Sequence, residues 1–205
     1  MTRGPSTPST HSITLYPPIA DACVIAGDEA DTNFGGSFIL LLSNRSYYIT
    51  TDEIYQSYDP ERIIGSSKIY LKFDLTSIPS NATIDVATLG MEYYCPFSPI
   101  ERDVFVFYCS DDAWTESGIT WNNAPSHEEI PTDTTHIKRT EEDWWGMGSC
   151  NWDVTQDVRR AIQKGMITLV LEADLSGIEE NFYIDFSSKE KQVGVMNSLY
   201  VSYTS

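Results

Sequence analysis

The sequence predicts an all-β fold, an antiparallel β-sandwich with one short helix. Three observations carry this. Apolar and polar residues alternate over stretches of strand length, turn-forming residues separate those stretches, and a single segment shows helical spacing. There is no βαβ alternation, no glycine-rich phosphate loop and no internal repeat. A chain of 205 residues with 41% hydrophobic content is large enough to bury a core without disulfides. Residues 1–12 are polar and carry two prolines, so they read as a disordered tail or linker, with residues 13–205 as a single domain.

The elements follow in order. "SITLYPPIADACVIAG" holds the first strand or two, and "DEADTNFGG" is a turn-rich loop. "SFILLLSN" has the length and apolarity of a strand. "SYYITTDEIYQSYDPERIIG" forms a hairpin or a long loop. In "SSKIYLKFDL", Ile69, Leu71 and Phe73 face one way and Tyr70, Lys72 and Asp74 the other. "TSIPSNATI" is a turn built on proline and asparagine. "DVATLGMEYYC" then puts Ala87, Leu89, Met91 and Tyr93 on one face, and "RDVFVFYC" follows a proline-flanked turn as its apparent hairpin partner. The helix is expected near 154–164: Val154, Val158, Ala161 and Ile162 recur at helical spacing, Thr155 supplies the N-cap and Gly165 the stop. "MITLVLEAD", "NFYIDFSSKE" and "NSLYVSYTS" close the chain as strands.

The charge excludes whole classes of partner. Thirty acidic against thirteen basic residues give a net charge of −17, which repels nucleic acid and anionic membrane surfaces. The same balance favours solubility and attracts cations such as Ca²⁺. No apolar run approaches the roughly 18 residues that span a bilayer, so membrane insertion is not expected. "MTRGPSTPSTHS" lacks the apolar region of a signal peptide. The chain is therefore either cytoplasmic or a mature fragment with a new start methionine. The second reading is preferred, and the sequons at Asn44 and Asn81 add slightly to it. Cys23, Cys95, Cys109 and Cys150 match no zinc pattern. They form up to two disulfides, with Cys95–Cys109 favoured across the apparent hairpin, or they are four buried thiols.

Several side chains are candidates for chemistry. Trp144 and Trp145 in "TEEDWWGMGSC" are planar platforms for sugar rings with carboxylates beside them, or they fold back over the sandwich edge. Tyr47, Tyr48, Tyr55 and Tyr58 line a shallow sugar groove or a protein interface, or pack as ordinary sheet residues. Asp28, Asp31 and Asn33 offer hard oxygen ligands for Ca²⁺ in one turn, and Asp21, Asp153 and Glu190 join them if the first and late strands meet. The plain alternative is a solvated turn held by its own Asx hydrogen bonds. Catalysis is not expected. The adjacent pairs Glu141/Glu142 and Asp111/Asp112 point to opposite faces of a strand, and His127 and His136 have no supporting motif.

Read together, four segments resemble a known family. "KIYLKFDLTSIPSNATIDVATLGMEYY", "WTESGITWNNAP", "WDVTQDVRRAIQKGMITLVLEA" and "FSSKE" are similar, in order and spacing, to the motifs of the DNRLRE (disaggregatase-related) domain, from about residue 14 to 204. The resemblance implies a jelly-roll-like sandwich on secreted or cell-surface proteins of archaea and bacteria, without catalysis of its own. Its expected partner is a polysaccharide or surface glycan. A structural role in a surface layer, sheath or fibre, through self-assembly or contact with other surface proteins, is the alternative, and a virion component a third. The chain departs from the pattern in Lys189, where the motif has arginine, in a longer 47–64 segment, and in "EEDWWGMG". Trp114, Glu116, Thr120, Trp121 and Asn122 form the signature, and their expected role is architectural. Both tryptophans are expected to be buried, with Glu116 and Asn122 bonding backbone in the turn, and Trp121→Ala to cost about 3–5 kcal/mol as a core cavity.

Overall fold

The computed structural model describes residues 8–43, 64–94, 101–138, 147–176, 182–191 and 197–205. In chain order the strands are β1 (Thr10–Leu15), β2 (Ala20–Gly27), β3 (Ile39–Ser43), β4 (Ile64–Asp74), β5 (Thr83–Tyr94), β6 (Arg102–Cys109), β7 (Asp133–Ile137) and β8 (Met147–Asp153), then helix α1 (Thr155–Ala161), and β9 (Met166–Ala173), β10 (Tyr183–Ser187) and β11 (Ser198–Thr204). They build two antiparallel sheets, an all-β sandwich with one short helix. One sheet runs β1-β11-β5-β10-β3 with β8 also on β5, and the other runs β2-β4-β9-β6-β7. From β1 to β6 successive strands alternate between the sheets, the wrapping pattern of a jelly roll. β5 is the hub of its sheet: β8 follows one edge, while β11 and then β10 occupy the other.

Strict alternation places the core. Ile69, Leu71 and Phe73 of β4 point between the sheets, beside Ile167, Leu169 and Leu171 of β9 and Val104 and Val106 of β6. From the other sheet Ala87, Leu89 and Met91 of β5 meet them. Each fully buried aliphatic side chain contributes roughly 1.5–3 kcal/mol. The opposite face of β4 is not left to solvent. Tyr70 joins a second apolar cluster with Ala20, Ala22, Val24, Phe107, Trp114, Ile119 and Val170, and Lys72 lies buried beside it with its ammonium over Trp114.

Two strands lie outside the sequence-based expectation. β7 reads "DTTHI", a polar edge strand without an apolar face. β8 reads "MGSCNWD", rich in residues of low strand propensity. Its alternation is real all the same: Cys150 and Trp152 face the core, and Ser149, Asn151 and Asp153 face out. Trp152 is fully buried, and its Nε1–H donates to the Val104 carbonyl at 2.9 Å, tying one sheet to the other. At the chain start, β1 begins at Thr10 and pairs with Thr204 of β11, so it takes up part of the expected tail.

The helix starts where the spacing puts it, but Thr155 is not its cap. Val154 occupies that position without a side-chain bond. The Asp153 carboxylate accepts from the Thr155 N–H at 2.9 Å, and Thr155 Oγ1 accepts from the Ala87 N–H at 2.8 Å, which staples α1 to β5. A 3-10 turn, Ile162–Lys164, follows, and Gly165 ends it at φ 72°, a left-handed geometry that favours glycine.

The expected Cys95–Cys109 disulfide is corrected. β5 and β6 belong to different sheets and are not a hairpin, and Cys109 is a free, buried thiol that donates to the carbonyls of Asp111 (3.3 Å) and Ser126 (3.4 Å). Cys95 lies outside the described residues. Cys23 and Cys150 are also free and buried, and burial pushes the Cys23 thiol up to about 12 and raises Cys109 and Cys150 as well. Low thiolate content and no access make such thiols inert. Ellman's reagent should therefore find at most one fast thiol in the native protein and all four in guanidinium. Two or more fast native thiols would contradict this burial.

The β6–β7 edge carries a pH-dependent pair. His136 faces its register partner Asp103, Nδ1 to Oδ1 at 2.7 Å, with Glu101 at 3.4 Å. The hydrogen bonds to Asp103 and then Glu101 raise the imidazole above its ordinary 6.5. The contribution of a raised histidine is fully present below 6.5 and lost as pH rises through the higher folded value. An NMR titration of the ring protons should show a midpoint above 6.5 that Asp103→Asn brings back down.

Candidate functional site

The signature segment folds as a roof over the outer face of the five-stranded sheet. Asp111 Oδ1 accepts from the Ala113 N–H at 2.8 Å and starts it. Two turns follow: the Thr115 carbonyl accepts from the N–H groups of Gly118 and Ile119, and the Thr120 carbonyl from those of Asn123 and Ala124. Asn123 locks the second, its Oδ1 accepting from Thr120 N–H at 2.7 Å and its Nδ2 donating to the Gly118 carbonyl at 2.9 Å. The turn is thus held by Asn123 rather than Asn122. Asn122 ties the roof to the loop after β2, through Asp31 Oδ1 at 2.7 Å and the Ala30 carbonyl at 3.1 Å.

Trp114 is the roof's anchor. It is 8% exposed, donates from Nε1 to Thr168 Oγ1 at 3.1 Å, packs edge-on to Tyr70 and lies under the Lys72 ammonium, 4.3 Å from the ring centroid. Lys72 Nζ also donates to the carbonyls of Asp112 and Trp114, and Tyr70 Oη–H donates to the Pro125 carbonyl at 2.7 Å. Burial lowers the Lys72 pKa, against the pull of Asp112 and Asp111. The outward side chains of β4 therefore hold both ends of the roof. A shallow groove lined by Asp111, Trp114, Thr115, Ile119 and Asn123 opens in it, but its amide and one Asp111 oxygen are committed to backbone and its indole faces Lys72 and Tyr70.

Trp121 behaves differently. It is only partly buried, at the rim of the roof, so its truncation should cost about 1–3 kcal/mol rather than the 3–5 of a core cavity. Lys68 Nζ sits 5.4 Å from its ring centroid. Beside it Glu172 Oε1 lies 2.5 Å from both Lys68 Nζ and His127 Nε2, and the His127 ring packs on Phe107 at 4.4 Å. Burial opposes the Glu172 charge, yet the bonds to His127 and Lys68 outweigh it and hold the carboxyl below its ordinary value. Partly buried Phe105 is the register partner of Glu172 across β6 and β9, so two aromatic rings, a cation and an anion share this outer sheet face as a shelf.

The expected metal ligands do not converge as a set. Asn33 commits its amide to the carbonyls of Glu116 (2.7 Å) and Ile119 (2.6 Å), Asp31 is bonded to Asn122, and Asp28 is exposed on the turn after β2. Asp153 is at the foot of the helix, where its N–H meets Asp133, on the other sheet from Asp21. Asp21 instead meets Glu116 and Glu190. Its N–H faces Glu116 Oε2 at 3.3 Å and its Oδ2 accepts from the Lys189 N–H at 2.8 Å. Lys189 Nζ bridges Glu116 Oε1 (2.9 Å) and Glu190 Oε1 (2.6 Å). Burial pushes Asp21 up to about 8 and raises Glu116, whereas the bonds to Glu190 and Glu116 overcome burial and raise Lys189. Glu116 thus ties the roof to strand β2, not to its own turn. Trp144, Trp145, Tyr47, Tyr48, Tyr55 and Tyr58 lie outside the described residues.

A sandwich with polar and aromatic groups gathered on one sheet face and its loops belongs to the class of β-sandwich modules. The sequence fixes which one: the chain belongs to carbohydrate-binding module family 96, whose family model matches residues 12–203. A search of curated proteins finds no match. Among the described residues no helix is long and apolar enough to cross a membrane.

Proposed function

We propose that the protein is a non-catalytic module that binds polysaccharide outside the cell, on a secreted or cell-surface protein of the DNRLRE type. Membership of a carbohydrate-binding module family over residues 12–203 carries this reading. The shelf at Trp121 supports it: an indole and Phe105 offer apolar faces to sugar rings, while Lys68 and Glu172 offer a donor and an acceptor for hydroxyls, with both ring nitrogens of His127 spent on Glu128 and Glu172. Trp144, Trp145 and the tyrosines of the 47–58 segment are proposed as a second contact region on sequence grounds. A glycan array of the folded wild-type protein tests the reading. Binding to one or more polysaccharides is expected. No binding to any neutral or acidic polysaccharide, by protein with a cooperative melt, overturns it.

A further inference from the structure

Asp21, Glu116 and Glu190 each place a carboxylate oxygen within 4.8 Å of the others. Two oxygens bound to one calcium ion at 2.3–2.6 Å are never more than about 5 Å apart, so the spacing fits a shared ion. Proximity alone is common among acidic side chains. What sets this trio apart is a shortage of partners. Asp21 is 1% exposed, and among the described residues its Oδ1 has no hydrogen-bond partner; Glu190 Oε2 is likewise buried and unpartnered among them. A buried carboxylate oxygen without a donor is costly, and native structures nearly always fill such a place with a donor, a water or an ion. The charges give the same answer. Three carboxylates face one ammonium, Lys189, which bonds Oε1 of both glutamates and leaves the second oxygens free of it. With all three carboxylates ionised, the state that a bound cation would favour against the burial of Asp21, the formal remainder is two negative charges, which one divalent cation neutralises.

We propose that Asp21, Glu116 and Glu190 form a calcium site, with the Asp21 and Glu190 oxygens that Lys189 does not reach as ligands and the partly exposed side of the trio open to water. The set is all oxygen and hard, with room for the higher coordination number that calcium takes and magnesium does not. The ion would join strand β2, the roof and the turn after β10, three segments far apart in the chain. Bound only to the folded state, it would stabilise that state by mass action.

The test is thermal melting of protein freed of metal with EDTA, then titrated with CaCl2 or MgCl2, with isothermal titration of CaCl2 for stoichiometry. At about a hundredfold excess over Kd, CaCl2 should raise the wild-type Tm by roughly 5–10 °C. Stoichiometry should be one, with a weaker response to MgCl2. Asp21→Asn and Glu190→Gln should each lose the CaCl2 shift; Glu190, with its side chain 21% exposed against the 1% of Asp21, is the milder substitution and keeps the test open if the Asp21 variant does not fold. A wild-type Tm and heat unmoved by millimolar CaCl2 would overturn the proposal. So would a shift of the same size in Glu190→Gln, which places the ion elsewhere on the acidic surface. An equal response to MgCl2 would overturn the assignment to calcium.

Discussion

Trp114→Ala is expected to lower the melting temperature by roughly 6–20 °C, the equivalent of about 3–5 kcal/mol in a chain of this size. The indole fills the centre of the second apolar cluster, and nothing nearby can collapse into its place: Tyr70 is fixed by Pro125 and Lys72 by two carbonyls. The change also leaves Thr168 Oγ1 without its donor and the Lys72 ammonium without its aromatic neighbour. Because Trp121 rides on the same roof, sugar binding should fall with the fold. Trp114→Phe keeps most of the packing and should lose far less. A differential scanning calorimetry trace for Trp114→Ala within 2 °C of wild type would mean that the roof is not anchored there.

A second large effect is expected from a single methyl group at Gly35. A Cβ built there would lie 2.0 Å from the Glu116 carbonyl oxygen and 2.7 Å from its Cγ. Backbone sits in the way, so the loop after β2 and the roof cannot both keep their places. They are joined by Asn33 to that same carbonyl at 2.7 Å, a bond the displacement would stretch. Gly35→Ala should cost about 3 kcal/mol, at the upper end of overpacking changes. Gly36→Ala is the matched control, since an added Cβ there meets nothing within 4 Å. Urea denaturation of the two variants should separate them clearly, and equal midpoints would contradict the close approach.

Most strands were legible because burial on one face imposes a period of two, as at Ile69, Leu71 and Phe73. β7 was not, since a polar edge strand needs no apolar face, and β8 was hidden among glycine, serine and asparagine. The cysteine pairing failed for a topological reason: strands consecutive in sequence crossed from one sheet to the other. The signature segment was recognisable, but the division of labour within it was not. Trp114 and Trp121 look alike in sequence, and only the packing makes one an anchor and the other a rim. The acidic trio was half visible, with Asp21 and Glu190 in view and Glu116 read as a turn residue. Their meeting depends on β2, the roof and the turn after β10 arriving at one point, and no local pattern records that.

Affinity electrophoresis of wild type and Trp121→Ala, side by side in gels holding a polysaccharide that the wild type binds, bears most directly on the claim that the signature roof carries the binding shelf at its rim. The wild type should be retarded, and Trp121→Ala should still melt cooperatively, roughly 2–12 °C below it, yet lose at least tenfold in affinity. Undiminished retardation of a folded Trp121→Ala variant, with retardation lost instead in Trp144→Ala/Trp145→Ala, would contradict it and move the contact surface off the roof.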